Sequence, residues 1–212
     1  MQHMRRELVR AIGLAAVAGP ALAQQAKAPA EGFEYKAIKP TQPTDAPAGK
    51  VEVVEFFWYG CPHCNVLEPA LKDWVKRLPP DVSFRKVHVP FQVQAHQQLF
   101  YTLETLGKSD ELGDKVFAAI HTDRQRLDTP EAMADLVSRY GVDRKQFLDT
   151  YASFGVRTKM QRATQLAAGY QIDGVPAFGV AGKYMTAPSM VGSNAAALRL
   201  VEQLVDRERK GG

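Results

Sequence analysis

Cys61-Pro62-His63-Cys64 carries the only two cysteines in a chain of 212 residues. Pro62 suits the first position of a helix, where its missing N–H is not needed. A helix starting there puts Cys61 at its N-terminus, where unpaired N–H groups and the dipole favour a negative sulfur. His63 adds a positive charge or an N–H donor nearby. Both effects lower a thiol pKa, and the thiolate is the nucleophile of thiol–disulfide exchange. Three-residue spacing on a helical turn brings the two sulfurs within bonding reach, and Cys64, one turn deeper, is the natural resolving thiol. Half of a zinc site is the competing use. Tetrahedral zinc needs a second cysteine pair or a spaced histidine pair. The chain has no second pair, and His88, His96 and His121 lack the spacing, so no metal is expected. A purely structural bridge is a poor reason for the pair, because closing so small a loop restricts the unfolded chain very little.

Other positions bear on the same chemistry. Val175-Pro176 follows Gly174 and precedes an apolar run, Ala177 to Val180. A proline at a strand start is ordinarily trans, but in a chain with a CxxC at its first strand-to-helix junction a cis bond is expected. The Val175 backbone would then be free to pair with an extended substrate beside Cys61. Glu55 lies in an apolar run six residues before Cys61. It is either a solvent-facing carboxylate or a buried acid that moves protons to and from Cys64. Glu68, one turn past Cys64, and Lys86, on a neighbouring strand, read equally well as a solvated ion pair or as a pair tuning the thiols.

Val51 to Trp58 is apolar on both faces apart from Glu52 and Glu55, the pattern of a strand covered on both sides. A helix is expected from Pro62 to Leu78, with Val66, Leu67, Ala70, Leu71, Trp74, Val75 and Leu78 at helical spacing and a kink at Pro69. Val82 to Val89 reads as a second strand parallel to the first. Residues 94–170 read as wholly helical, with starts at Thr129-Pro130-Glu131 and at Asp143, the latter resembling a capping box with Gln146. Ala177 to Val180 and Lys183 to Met185 read as a hairpin turning at Ala181-Gly182. Ser193 caps a final helix. The expected organisation is a discontinuous α/β domain (50–93 and 171–210) holding an all-helical insertion (94–170).

Arg5, Arg6 and Arg10, the small apolar run Ala11 to Ala18, and Ala21-Leu22-Ala23 read as an export signal that would put the mature start near Gln24, the alternative being a frayed N-terminal helix. Arg5-Arg6 raises the twin-arginine route, although the surrounding motif is incomplete. Gly13, Gly19 and Pro20 interrupt the run too early for a spanning helix. Residues 24–49, with Pro40, Pro43 and Pro47, read as a flexible leader with one short edge strand around Tyr35 to Ile38. The chain's net charge is +4. Residues 1–23 hold three arginines and one glutamate, so the remainder stands at +2. No basic stripe is interleaved with aromatics, which argues against nucleic-acid binding.

Taken together, Glu55-Phe56-Phe57 leading into Cys61-Pro62-His63-Cys64, Lys86-Val87-His88-Val89, the helical block, and Gly174-Val175-Pro176-Ala177-Phe178 followed by Gly182-Lys183-Tyr184 resemble the DsbA family of thiol–disulfide oxidoreductases. The resemblance covers essentially the whole chain after residue 23, and Thr186 to Gly192 is the stretch that matches least. It implies a thioredoxin fold interrupted by a helical domain. It also implies a periplasmic enzyme that gives its Cys61–Cys64 disulfide to unfolded exported proteins, and reoxidation by a DsbB-like membrane partner; a monomer is expected, although the sequence does not fix the oligomeric state. No cofactor is implied beyond the redox-active disulfide. Carried onto this chain, the catalytic set is Cys61, Pro62, His63, Cys64, Pro176 and Glu55. Val175 and Pro176 meet the substrate, and Glu68 and Lys86 form the charged pair nearby. DsbA is itself the standard example of a cysteine with a pKa near 3.5, roughly five units below an ordinary thiol. A thiolate that stable would make the reduced protein the more stable form at pH 7.

Three other functions use the same residues. A disulfide isomerase or reductase would share the fold. Such isomerases usually carry an N-terminal dimerisation module, for which the residues before the first strand are too few. A chaperone-like binding module would leave the CxxC vestigial. A glutathione-dependent transferase of this fold often has Ser at the first cysteine.

Overall fold

Residues 28–211 are described by the computed structural model; the expected export signal lies outside them. The leader contributes β1, Lys36–Ala37. More of it is tied down than its composition suggests. Tyr35 and Ile38 are buried, and the N–H groups of Ile38 and Gln42 donate to the carbonyls of Lys183 and Gly182. Two apolar side chains and these backbone bonds hold a segment that Pro and Ala alone would leave loose.

β2, Val51–Phe57, has six of its seven residues buried. It runs parallel to β3, Val82–His88, with Glu55 opposite Lys86 and Phe57 opposite His88. Between them runs α1, Pro62–Val75. Pro69 does not end α1, which stops at Val75, three residues short of the expected end; single turns from Arg77 to Trp74 and from Leu78 to Val75 lead into Pro79. The buried face of α1 is narrower than the sequence pattern. Cys64, Leu67, Glu68, Leu71 and Trp74 are inside, while Val66 and Ala70 are exposed. The sheet covers only one side of α1, so the outer part of the apolar stripe faces solvent.

Five helices lie between β3 and the next strand: α2, Gln94–Thr105; α3, Ser109–His121; α4, Pro130–Ser138; α5, Arg144–Tyr151; and α6, Phe154–Gly169. Thr129 accepts a bond from the Ala132 N–H and Asp143 one from the Gln146 N–H, so both expected helix starts are capped. β4, Ala177–Val180, and β5, Tyr184–Thr186, form the hairpin, with Ala181 and Gly182 both at positive φ as a tight primed turn requires. The stretch after it is a four-residue helix, α7, Pro188–Val191, which ends at Gly192 in a left-handed conformation. Ser193 caps α8, Asn194–Gly211, by accepting from the Ala196 N–H.

The sheet order is β1-β5-β4-β2-β3, with β4 antiparallel to β2. α1 and α8 pack on one face with Val53, Phe178 and Val180. Tyr170, at the end of α6, packs on Phe56 from the other. This is a thioredoxin fold with a helical insertion between β3 and β4.

Candidate functional site

The turn from β2 into α1 places Cys61 as the residue just before the first helical turn, with an extended backbone (φ −84°, ψ 118°). Its N–H donates to the Trp58 carbonyl at 3.0 Å, which closes the turn. Trp58 lies over Gly60, and a Cβ there would sit 2.2 Å from the Trp58 ring, so a larger residue would have to displace that ring. Both cysteines are free thiols, but they differ in access. Cys61 is 7% exposed and Cys64 not at all.

Their electrostatics differ in the same sense. The Cys61 thiol is lowered from 9.0 to about 6. The largest cause is a hydrogen bond from the Cys64 thiol, followed by the backbone N–H groups of Cys64 and His63 and the charge of His63, all acting against desolvation. The same bond from the other side, together with burial and the nearby Glu55 carboxylate, pushes Cys64 up. The helix start and His63 were legible in the sequence. The larger contribution, one thiol donating to the other, needs the folded turn. Iodoacetamide should therefore label Cys61 of the reduced protein with a midpoint near pH 6 while Cys64 stays unmodified; equal labelling of both would overturn this assignment.

Glu55 is fully buried, which excludes the solvent-facing alternative. Lys86 Nζ lies 3.4 Å from one carboxylate oxygen, and neither oxygen has a hydrogen-bond partner among the described residues. Burial pushes its pKa from 4.5 up to about 7, against the attraction of Lys86. Glu68, on α1, is also buried and pairs with Lys86 at 2.5 Å. One ammonium thus serves two buried carboxylates, and it follows from register, since Glu55 and Lys86 face each other across β2 and β3. Glu68 and Lys86 line a cleft of about 410 Å³ with Phe57, Tyr59, Phe100 and Phe117. Glu55 is not in its lining. The cleft thus reaches Glu68 and Lys86, with Glu55 buried behind them.

The Val175–Pro176 bond is cis. Cys61 Sγ lies 3.4 Å from the Val175 carbonyl, so this loop and the motif meet although 114 residues separate them. Pro62 and His63 are exposed beside them. Thus the structure brings Cys61, Pro62, His63, Cys64, Glu55, Glu68, Lys86, Val175 and Pro176 to one end of β2. Among the described residues, no group of three or more His, Cys, Asp or Glu could hold a metal ion.

Sequence reasoning passed over two neighbours, His88 and His121, as partners of the turn before Cys61. Both bond to the backbone of Tyr59. No residue spacing signals this, because the three come together only when β2, β3 and α3 pack.

Residues 52–198 match the family model of the DSBA-like thioredoxin domain. The chain is 42% identical to the thiol:disulfide interchange protein DsbA of Burkholderia cepacia over 207 residues, covering 97% of this chain and 96% of that one. Against the protein of the same name from Pseudomonas aeruginosa it is 40% identical over 206 residues, covering 96% and 97%. The crystal structure of Pseudomonas aeruginosa DsbA superposes with a TM-score of 0.82 at 41% identity, covering 86% of this chain and 95% of that one. The oxidoreductase DsbA from Xylella fastidiosa gives 0.80 at 31% identity, covering 86% and 98%. The chain belongs to the family of DSBA-like thioredoxin domains and is a thiol:disulfide oxidoreductase.

Proposed function

We propose that the chain works as an oxidase in the periplasm, giving the Cys61–Cys64 disulfide to newly exported, unfolded proteins. The observation that carries this is the asymmetry of the pair: Cys61 is reachable and stabilised as a thiolate, Cys64 is sealed and is not. A client thiolate attacks Cys61 Sγ of the oxidised pair. The Cys61–Cys64 bond breaks, Cys64 leaves with the electron pair, and Glu55 is the acid placed to return its proton. A second client thiolate then attacks the client sulfur of the mixed disulfide, and Cys61 leaves as the stable thiolate. Two electrons have moved from client to enzyme, so no further cofactor is required, and a DsbB-like membrane oxidase would remove them.

The surface around Cys61 suits an unfolded client. Pro62 and Val66 are exposed and apolar, Val66 at 69%, and the Val175 backbone lies beside the attacked sulfur.

The reduction potential of the Cys61–Cys64 couple tests the reading. Thioredoxin-type reductases sit near −270 mV, whereas DsbA itself sits near −120 mV. A value well above −200 mV is expected, with oxidation of a reduced dithiol peptide that Cys61→Ser abolishes. A potential near −270 mV would turn the protein into a reductase. Peptide binding without oxidation would make it a binding module.

A further inference from the structure

Tyr59 stands two residues before Cys61, and both of its backbone polar groups are held by imidazoles. Its N–H donates to His88 Nε2 at 3.1 Å, and its carbonyl lies 2.8 Å from His121 Nε2. Carbonyl oxygens only accept, so the chemistry of the partners fixes both tautomers. His88 Nδ1 lies 2.9 Å from the Val89 carbonyl and must carry a proton, which leaves Nε2 with a free lone pair for Tyr59. Burial pushes His88 down to about 3, so it stays neutral in this role. His121 Nε2 must in turn carry a proton for the Tyr59 carbonyl.

The two imidazoles come from different parts of the fold. His88 ends β3, next to β2 in the sheet. His121 ends α3, within the helical insertion. Nor is His121 alone on its helix. Phe117, one turn earlier, meets the Tyr59 ring edge-on at 5.1 Å and stacks with the His121 ring at 6.0 Å. Asp114, a further turn back, pairs with Lys72 of α1 at 2.5 Å. Residues 114, 117 and 121 share one face of α3, and that face grips the turn before Cys61 and the helix after it. Trp58 packs over Gly60, and the Cys61 N–H returns to the Trp58 carbonyl, leaving the turn little freedom to move without moving Cys61.

We propose that His121 is a positioning residue of the redox centre, passing the placement of the inserted helices through the Tyr59 carbonyl to the N-terminus of α1 and so to Cys61. The inserted helices then help to set how well the start of α1 holds the Cys61 sulfur as a thiolate. This rests on Cys61 being the exchanging thiol. Catalytic contact with the client is not part of the role, since His121 reaches only the backbone.

The test uses the full-length protein and two variants. His121→Phe keeps a ring to stack on Phe117 but removes the donor. His121→Gln restores an N–H on a flexible stem. The readouts are the thiolate absorbance of reduced Cys61 against pH and the equilibrium with glutathione. His121→Phe should raise the Cys61 midpoint by about half a pH unit or more. It should shift the glutathione equilibrium about three- to tenfold toward the disulfide form, roughly 15–30 mV more reducing. His121→Gln should return both values toward those of the parent. A His121→Phe protein that melts earlier but keeps both parental values would overturn the proposal and leave His121 as a structural contact, as would a His121→Gln protein that behaves like His121→Phe. Should His121→Phe fail to fold, His121→Leu is measured in its place against the same outcomes. A parent protein whose Cys61 titrates near 9 would instead sink the assignment of Cys61 itself.

Discussion

At pH 7, Glu55→Gln is expected to stabilise the folded protein by about 3 kcal/mol and, at the same time, to slow turnover. The stability half follows from linkage. Glu55 has a folded pKa raised from 4.5 to about 7. A raised value means that stability is fully present below 4.5 and is lost as pH rises through 7. At pH 7 an unfolded Glu55 would be ionised at little cost while the folded one is only about half ionised, and the difference is about 3 kcal/mol. Gln is nearly isosteric with the protonated acid and carries no such penalty. Lys86 keeps a partner in Glu68 at 2.5 Å, so the variant does not strand a buried ammonium. The gain should shrink to near zero at pH 4, and denaturant melts at the two pH values read it directly. An equal effect at both would mean that Glu55 does not titrate on folding.

The kinetic half separates the two cysteines. Cys64 must gain a proton after its bond to Cys61 breaks, because the surroundings that favour the Cys61 thiolate disfavour a Cys64 one. Glu55 is among the groups that raise Cys64, and its own titration near pH 7 suits an acid that gives and regains a proton there. Glu55→Gln should therefore flatten the pH dependence of peptide oxidation around pH 7. Alkylation of Cys61 should change far less, since Glu55 is not among the main groups acting on that thiol.

The motif and the order of strands and helices were legible because each is local: a CxxC before a helical pattern or a two-sided apolar strand can be read within about ten residues. The cis bond was not local in this sense, since Val175-Pro176 by itself reads as an ordinary trans strand start and only the distant CxxC motif pointed to cis. What escaped was decided by packing between distant segments. Glu55 read from sequence as either a solvent-facing carboxylate or a buried acid, until the register set it opposite Lys86 inside the fold. Val66 fits the apolar stripe of α1, yet the sheet covers only part of that stripe. His88 and His121 were invisible as partners of Tyr59 because they act on backbone groups, which carry no sequence signal. The leader was underestimated because composition reports flexibility in an isolated chain, whereas Tyr35 and Ile38 found a core to enter.

The relative stability of the reduced and oxidised protein should change sign with pH, and the crossing should fall near pH 7.5. An extremely acidic Cys61 would favour the reduced form well below neutral pH. The geometry places the thiol at about 6 instead, so the two contributions come closer together. The folded value is depressed from 9.0. Stability from the thiolate is therefore fully present above 9 and disappears as pH falls through 6. It amounts to about 1–2 kcal/mol at pH 7 and about 3 kcal/mol at pH 8.5. The oxidised form has no thiolate and gains none of this, but its cross-link restricts the unfolded chain, worth about 2 kcal/mol for so short a loop. At pH 5 the oxidised protein should lead by about 2 kcal/mol, and at pH 8.5 the reduced protein should lead by about 1 kcal/mol. By a thermodynamic cycle, the same difference measures how strongly the fold drives its disulfide onto an unfolded client, so oxidising power relative to such a client should rise with pH over this range. Denaturant melts of both forms at the two pH values decide it. An oxidised form that stays ahead at pH 8.5 would mean that the folded turn does not stabilise the Cys61 thiolate, and the oxidase reading would fall with it. A reduced form already ahead at pH 5 would mean that the thiol is held far lower than its hydrogen bonds from Cys64 and the start of α1 account for.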